Sequence, residues 1–320
     1  MPSISTAPKP KSLALTTSAP FLTPHPRPHS LSPDTLLSQR ELSGLQHQQS
    51  FTHLHGLLSS RHQARLLSCS QKGSGLFLTA IPSGHNIMSP ITFSTALSYR
   101  LGNTPYPTGS CNLCHEKLSC AGFHAAHCKH FTSHRHNNIA RHIARFTSAC
   151  GYKTTLEAPL LSNTNVTRNH APRPGDILIE ESQPPSRHYL DVSAVNPAAP
   201  SYLQNSKSTA LATARLASSR KITKYNDLFA LANSESPIPH KFTPLVVETY
   251  GSWDKTALKL FRELARRRHL SPGAGTQSSS NILSRLLTTL DVSLQTSNAY
   301  AIIRCGFPMT AMEVHTPTLA

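Results

Sequence analysis

The sequence predicts an α/β fold, and three observations carry that reading. Two short apolar runs, ILIEE (177–181) and YLDVSAV (189–195), flank the proline turn QPPS and read as a β-hairpin. FTPLVVETYGSW, at 242–253, reads as a further buried strand and turn. Around these lie long segments whose apolar residues recur at helical spacing, such as RHNNIARHIARFTSAC and DKTALKLFRELARRR.

In chain order, residues 1–74 are rich in Ser, Pro, His and Gln, with a weak apolar period only around Thr35 to Leu67, and are expected to be disordered or loosely helical. From Gly75 the texture changes. LFLTA is a short strand-like run, and Phe93, Ala96, Leu97 and Leu101 then share a helical face, so organised structure is expected over 75–110. A Cys/His segment occupies 111–136. The main domain is placed at 137–270, beginning with a basic helix in which Ile139, Ile143 and Phe146 share one face while Arg141 and Arg145 lie off it. The hairpin follows, then one long helix from about Ser206 to Ala232, the third strand, and an amphipathic helix with a basic end. SPGAGTQSSS, at 271–280, is a linker, and 281–320 supplies a C-terminal helix that packs back on the domain, with a tail.

The charge balance narrows the partners. Thirty-one Lys and Arg against 15 Asp and Glu give a formal charge of +16, with 19 histidines besides, which favours a polyanion: DNA, or RNA as the second choice. No small-molecule substrate is expected. No uninterrupted apolar run reaches the roughly 18 residues of a membrane span, and no secretory h-region opens the sequence.

Cys111-x2-Cys114-x9-His124-x3-Cys128 presents two thiolates on a tight knuckle and a His/Cys pair about one helical turn apart. Four such soft donors can close tetrahedrally round a structural Zn²⁺, and the ion would stabilise a short, loop-rich segment directly. Cys120, His115, His127 and His130 are alternative donors nearby. The hairpin raises a different question, since each of its strands carries one aspartate, Asp176 at the head of the first and Asp191 inside the second. Equal arms around the QPPS turn bring the two together at the open end, and strand alternation puts Tyr189, Asp191 and Ser193 on one face. Two carboxylates so close repel unless one is protonated or a cation bridges them, and Mg²⁺ is the natural bridge in phosphodiester hydrolysis. Lys221, one helical turn from Tyr225, and Lys224 are candidates for charge stabilisation, and Glu157 for a third carboxylate.

These pieces come in an order that resembles the C-terminal part of non-LTR retrotransposon (reverse transcriptase-like) polyproteins, where a CCHC zinc knuckle leads into a restriction-like, PD-(D/E)XK-type endonuclease. The resemblance covers about 75–305: Cys-x2-Cys with its His/Cys pair, Arg135-His136-Asn137, Arg-Pro-Gly-Asp176, Leu-Asp191-Val and Lys221-x2-Lys224-Tyr225. It implies a mixed sheet flanked by helices, with residues 75–110 as a remnant of the polymerase thumb. It implies Mg²⁺ held by Asp176 and Asp191, catalytic help from Lys221 or Lys224, and Glu157 as the upstream acidic residue. Arg135, His136, Arg141 and Arg145 would then contact nucleic acid. The implied activity is nicking of a DNA target, with a nuclear location. The sequence departs from the pattern at two points: Gly175 stands in place of the proline of a Pro-Asp pair, and Ser193 occupies the usual lysine position of the (D/E)-x-K element. The polymerase motif Tyr-x-Asp-Asp does not occur, so no reverse transcriptase activity is expected of this chain. The competing expectations are a zinc-dependent nucleic-acid-binding remnant that does not cleave, and a largely disordered product of a decayed reading frame.

Overall fold

The computed structural model describes residues 38–103, 109–160, 172–271 and 275–306. The chain divides into two units, 1–51 and 52–320. Of the first unit, the described part is the beginning of helix α1 (Gln39–Leu57), which buries none of its residues. Everything below concerns the second unit.

Four strands form one mixed sheet in the order β1 (Lys153–Leu156), β2 (Ile177–Ser182), β3 (Pro185–Val195) and β4 (His240–Glu248). The first three pair antiparallel, and β3 and β4 pair parallel. The predicted hairpin is present with the predicted turn, its register running from Ser182 opposite Pro185 to Ile177 opposite Leu190. Pro244 sits inside β4, and the edge position of that strand tolerates its missing N–H.

Strand alternation sorts the side chains between two helical layers. Ile177, Ile179, Leu190, Val192, Leu245 and Val247 point to one face. There they meet Ile139 and Ile143 of α4 (Lys129–Ala149), Phe261 and Leu264 of α7 (Lys255–Leu270), and Leu290 of α8 (Ser279–Gly306). Leu178 and Tyr189 point to the other face and pack against Phe229 of α6 (Ala212–Glu235), while Val246 meets Ala214 and Ala217 of the same helix. The sheet is therefore enclosed on both faces, which the parallel β3–α6–β4 crossover demands. The α7 helix begins where Asp254 caps it, accepting from the Ala257 N–H at 2.9 Å.

Three expectations are corrected. Helices α1 and α2 (Ser60–Cys69) stand within the 1–74 segment expected to be disordered or loosely helical, and α2 is a packed helix that buries Ala64, Arg65 and Ser68; low apolar content hid a helix that packs through small and polar side chains. The strand-like run at Leu76–Leu78 is a 3-10 turn pinned by a buried carboxylate, Asp291 of α8, which accepts from the Phe77 N–H at 3.0 Å. The long helix expected from about Ser206 to Ala232 is α6, which starts later, at Ala212, after turns that end at Leu211 with φ of 59°; a short helix that was not expected, α5 (Pro200–Ser206), precedes those turns. The C-terminal helix extends as expected and packs on the core, preceded in the chain by α3 (Pro90–Leu101), which Ser89 caps through the Thr92 N–H. Residues 1–37 and 307–320 lie outside the described residues.

Phe261 is completely buried under the sheet, whereas Leu231 on α6 is half exposed. Phe261→Ala is expected to lower unfolding free energy by about 3–5 kcal/mol, and Leu231→Ala to stay within about 0.5 kcal/mol, both read from denaturant titration.

Candidate functional site

At the open end of the hairpin the ladder continues one residue further. Asp176 N–H donates to the Leu190 carbonyl at 2.8 Å and Glu157 N–H to the Asp176 carbonyl, also at 2.8 Å, which brings Glu157, Asp176 and the start of the β3 core together. Gly175 is the hinge of this approach. A Cβ there would lie 2.9 Å from the Leu190 carbonyl oxygen and 3.1 Å from the Tyr189 Cβ, so neither proline nor any other side chain fits where the Pro-Asp pattern would put one.

The Asp176 carboxylate is held from two sides. Its Oδ2 accepts from the Val192 N–H at 2.6 Å, and its Oδ1 lies 3.0 Å from His136 Nε2, on α4. That ion pair, with smaller help from the nearby Asp191, holds the imidazole above its usual pKa despite burial. One donor atom each from His136, Glu157 and Asp176 lie within 4.8 Å of one another. Asp191, buried beneath α6, has Lys221 Nζ at 2.5 Å from Oδ2. Burial pushes the Asp191 carboxyl upward and Asp176 adds to the push, while the Lys221 ammonium opposes it. Lys221 reaches Asp191 from α6, the helix that starts after the left-handed Leu211.

The other predicted residues are placed as follows. Lys224 is exposed, its ammonium 4.8 Å from the Tyr225 ring centroid, and is not among the groups on Asp191. Arg141 and Arg145 are exposed on α4, and Arg145 lines a cavity of about 360 Å³ with His142, Arg268 and Arg285. Burial, with smaller contributions from the neighbouring His85 and Arg145, pushes His142 down to about 4. Arg135 is a correction: it is 1% exposed, and its guanidinium donates to the Ala126 carbonyl at 2.8 Å inside the protein instead of facing a phosphate. His136 is a second, since its ring faces Asp176 and not open surface.

In the knuckle, Cys111, Cys114, His124 and Cys128 converge as the spacing predicts. His124 Nε2 is 3.2 Å from Cys114 Sγ, and Cys114 Sγ is 3.9 Å from Cys128 Sγ. His124 Nδ1 lies 3.2 Å from Glu116, a carboxylate that orients the ring with Nε2 toward the thiols. A left-handed His115, φ 61°, turns the chain between the paired cysteines and Glu116. Cys120 is exposed and His127 sits on Asn196, so neither alternative enters the thiol group. The cluster could hold a metal ion, and its all-thiol and imidazole donors suit a borderline-soft one. Sequence reasoning missed three contributors: His136 as the partner of Asp176, Glu116 behind His124, and Cys305 of α8, which joins Cys111, His124 and Cys128. The one signal for Cys305 was the odd count of seven cysteines.

No family model matches the chain, and no curated protein matches it in sequence. Among the described residues no helix is long and apolar enough to cross a membrane.

The His136–Asp176 pair has a pH signature. A histidine raised in the folded state contributes stability that is complete below its ordinary value near 6.5 and is lost as pH rises through the higher folded value. NMR titration of His136 is expected to give a midpoint above 6.5, and Asp176→Asn to lower it.

Proposed function

We propose that the chain is a metal-dependent DNA-nicking endonuclease of restriction-like type, related to the C-terminal region of non-LTR retrotransposon polyproteins and acting in the nucleus. The observation that carries this reading is a chain of contacts at one end of a mixed sheet: Asp176 stands with Glu157 and His136 on one side and acts on Asp191 on the other, and Lys221 meets Asp191.

Carboxylate oxygens of Asp176 and Glu157, which lie within reach of one another, suit Mg²⁺, and the repulsion between Asp176 and the neighbouring Asp191 favours a cation beside them. Bound there, Mg²⁺ would neutralise phosphate charge and lower the pKa of a water. His136 holds a proton on Nε2 toward Asp176 Oδ1, which keeps that carboxylate oriented. Lys221 opposes the upward push of burial on the Asp191 carboxyl and offers an ammonium to the charge that grows on the phosphate. Arg141 and the arginines around the cavity on α4 and α8 position the nucleic acid by its backbone. The knuckle is read as a structural zinc site: its donors are thiols and imidazole, and the buried Arg135 beside it has Nε and Nη2 without partners, a positive charge that thiolates would compensate.

A second reading has its own support. Asp176 is already satisfied by Val192 N–H and His136, and Asp191 by Lys221, so the carboxylates could be purely structural in a protein that binds nucleic acid without cutting it.

Nicking of supercoiled plasmid by the full chain separates the two. Cleavage is expected with Mg²⁺ and not with chelator, lost about 100-fold or more in Asp176→Ala, Asp191→Ala and Lys221→Ala, and kept in Lys224→Ala. Intact plasmid, with binding that weakens steeply as salt rises, would establish the second reading.

A further inference from the structure

Cys305 stands far from the knuckle in sequence and beside it in space. Its thiol, those of Cys111 and Cys128, and the His124 imidazole offer four donor atoms that all lie within 4.8 Å of one another, each on a buried residue. In a tetrahedral site with zinc bonds of 2.0–2.3 Å, neighbouring donors stand about 3.3–3.8 Å apart. Small shifts therefore suffice to seat an ion. We propose that Cys305 is a ligand of the knuckle's metal ion, so that helix α8 closes the site; this rests on the zinc reading above.

Three features support it. The position of Cys305 is set by its own backbone, since its carbonyl accepts from the Asn112 N–H at 3.0 Å, next to Cys111. One turn earlier, Tyr300 of the same helix packs edge-on against Phe131, at 5.7 Å, and stacks with His134. The end of α8 is thus registered on the knuckle independently of any thiol contact. Charge points the same way. Arg135 is fully enclosed, makes one hydrogen bond, and leaves Nε and Nη2 without acceptors, while the sulfurs of Cys128 and Cys305 are among the groups acting on it. Three thiolates and a neutral imidazole round Zn²⁺ carry one net negative charge, the complement that this buried guanidinium lacks.

Cys114 makes the set one donor too large. It is 3.2 Å from His124 Nε2 and 3.9 Å from Cys128 Sγ, yet it is half-buried on the knuckle loop where Cys305 is buried on a helix. A structural zinc takes four ligands. Cys114 and Cys305 therefore compete for one position, and either can hold it when the other is removed.

That competition dictates the test, because Cys305→Ser alone would leave Cys114 to substitute. The full chain is loaded with Co²⁺ as a spectroscopic stand-in for Zn²⁺, and metal affinity is measured by chelator competition in wild type, Cys114→Ser, Cys114→Ser/Cys305→Ser and Cys114→Ser/Cys305→His. In the Cys114→Ser background the thiolate-to-cobalt absorption should still show three sulfurs. Adding Cys305→Ser should remove one sulfur and weaken binding at least tenfold, and Cys305→His should restore affinity with an altered spectrum. Identical spectra and affinities for Cys114→Ser and Cys114→Ser/Cys305→Ser would overturn the role of Cys305 and leave the knuckle's zinc intact. A wild-type chain that takes up no metal at all would overturn the zinc reading itself.

Discussion

The register of the β2–β3 hairpin is the constraint on which the other features depend. With Ile177 opposite Leu190, the isoleucines of β2 and the Leu190–Val192 pair of β3 all face the layer built by α4, α7 and α8. A slip of one residue would turn that whole set toward α6 and expose the polar set to the core. The same register places Asp176 one step beyond Ile177, at the level of Asp191. Core packing and the meeting of the carboxylates are therefore one decision, made by hydrophobic burial and inherited by the site. Gly175 enforces it locally, because the chain can turn into β2 against the β3 backbone only without a side chain.

Around that hairpin, buried charge is managed by pairing across layers. Asp176 is met from α4 by His136, and Asp191 from α6 by Lys221, so each carboxylate draws on a different helical layer. Asp291 of α8 is held differently: burial raises it to about 6, the Phe77 N–H and Gln295 donate to it, and Arg100 acts on it only through its field. The contrast separates the two kinds of buried acid. Asp176 and Asp191 face an imidazole and an ammonium at the sheet's end, whereas Asp291, like the cap Asp254, accepts from backbone N–H groups and pins local structure.

Much of this was legible in the sequence because it follows from local periodicity. The hairpin, its turn, the third strand and the apolar face of α4 are set by residues close in the chain, and each is found where the pattern put it; of the four knuckle residues, Cys111, His124 and Cys128 fall in one group that could hold a metal ion. What escaped depends on long-range geometry. Arg135 and His136 are adjacent residues that read alike as surface cations, yet the helical rotation between them sends one into the knuckle's interior and the other to Asp176. The later start of α6 escaped because no glycine marks the turn before it, the left-handed residue being Leu211. Cys305 escaped because nothing within a helical window distinguishes it from an ordinary core cysteine.

Helix α8 ties early parts of this unit together from its middle and from its C-terminal end: through Asp291 it holds the Phe77 turn, and through the Cys305 carbonyl it holds Asn112. During synthesis these partners exist long before the helix does. At ~5–20 residues per second a ribosome takes about 10–40 s to pass from Cys111 to Cys305, and over that interval the knuckle's thiols lack the wall that encloses them. The nascent chain thus has a window in which oxidation or a wrong metal can reach cysteines that the finished protein hides, and its length is set by translation speed.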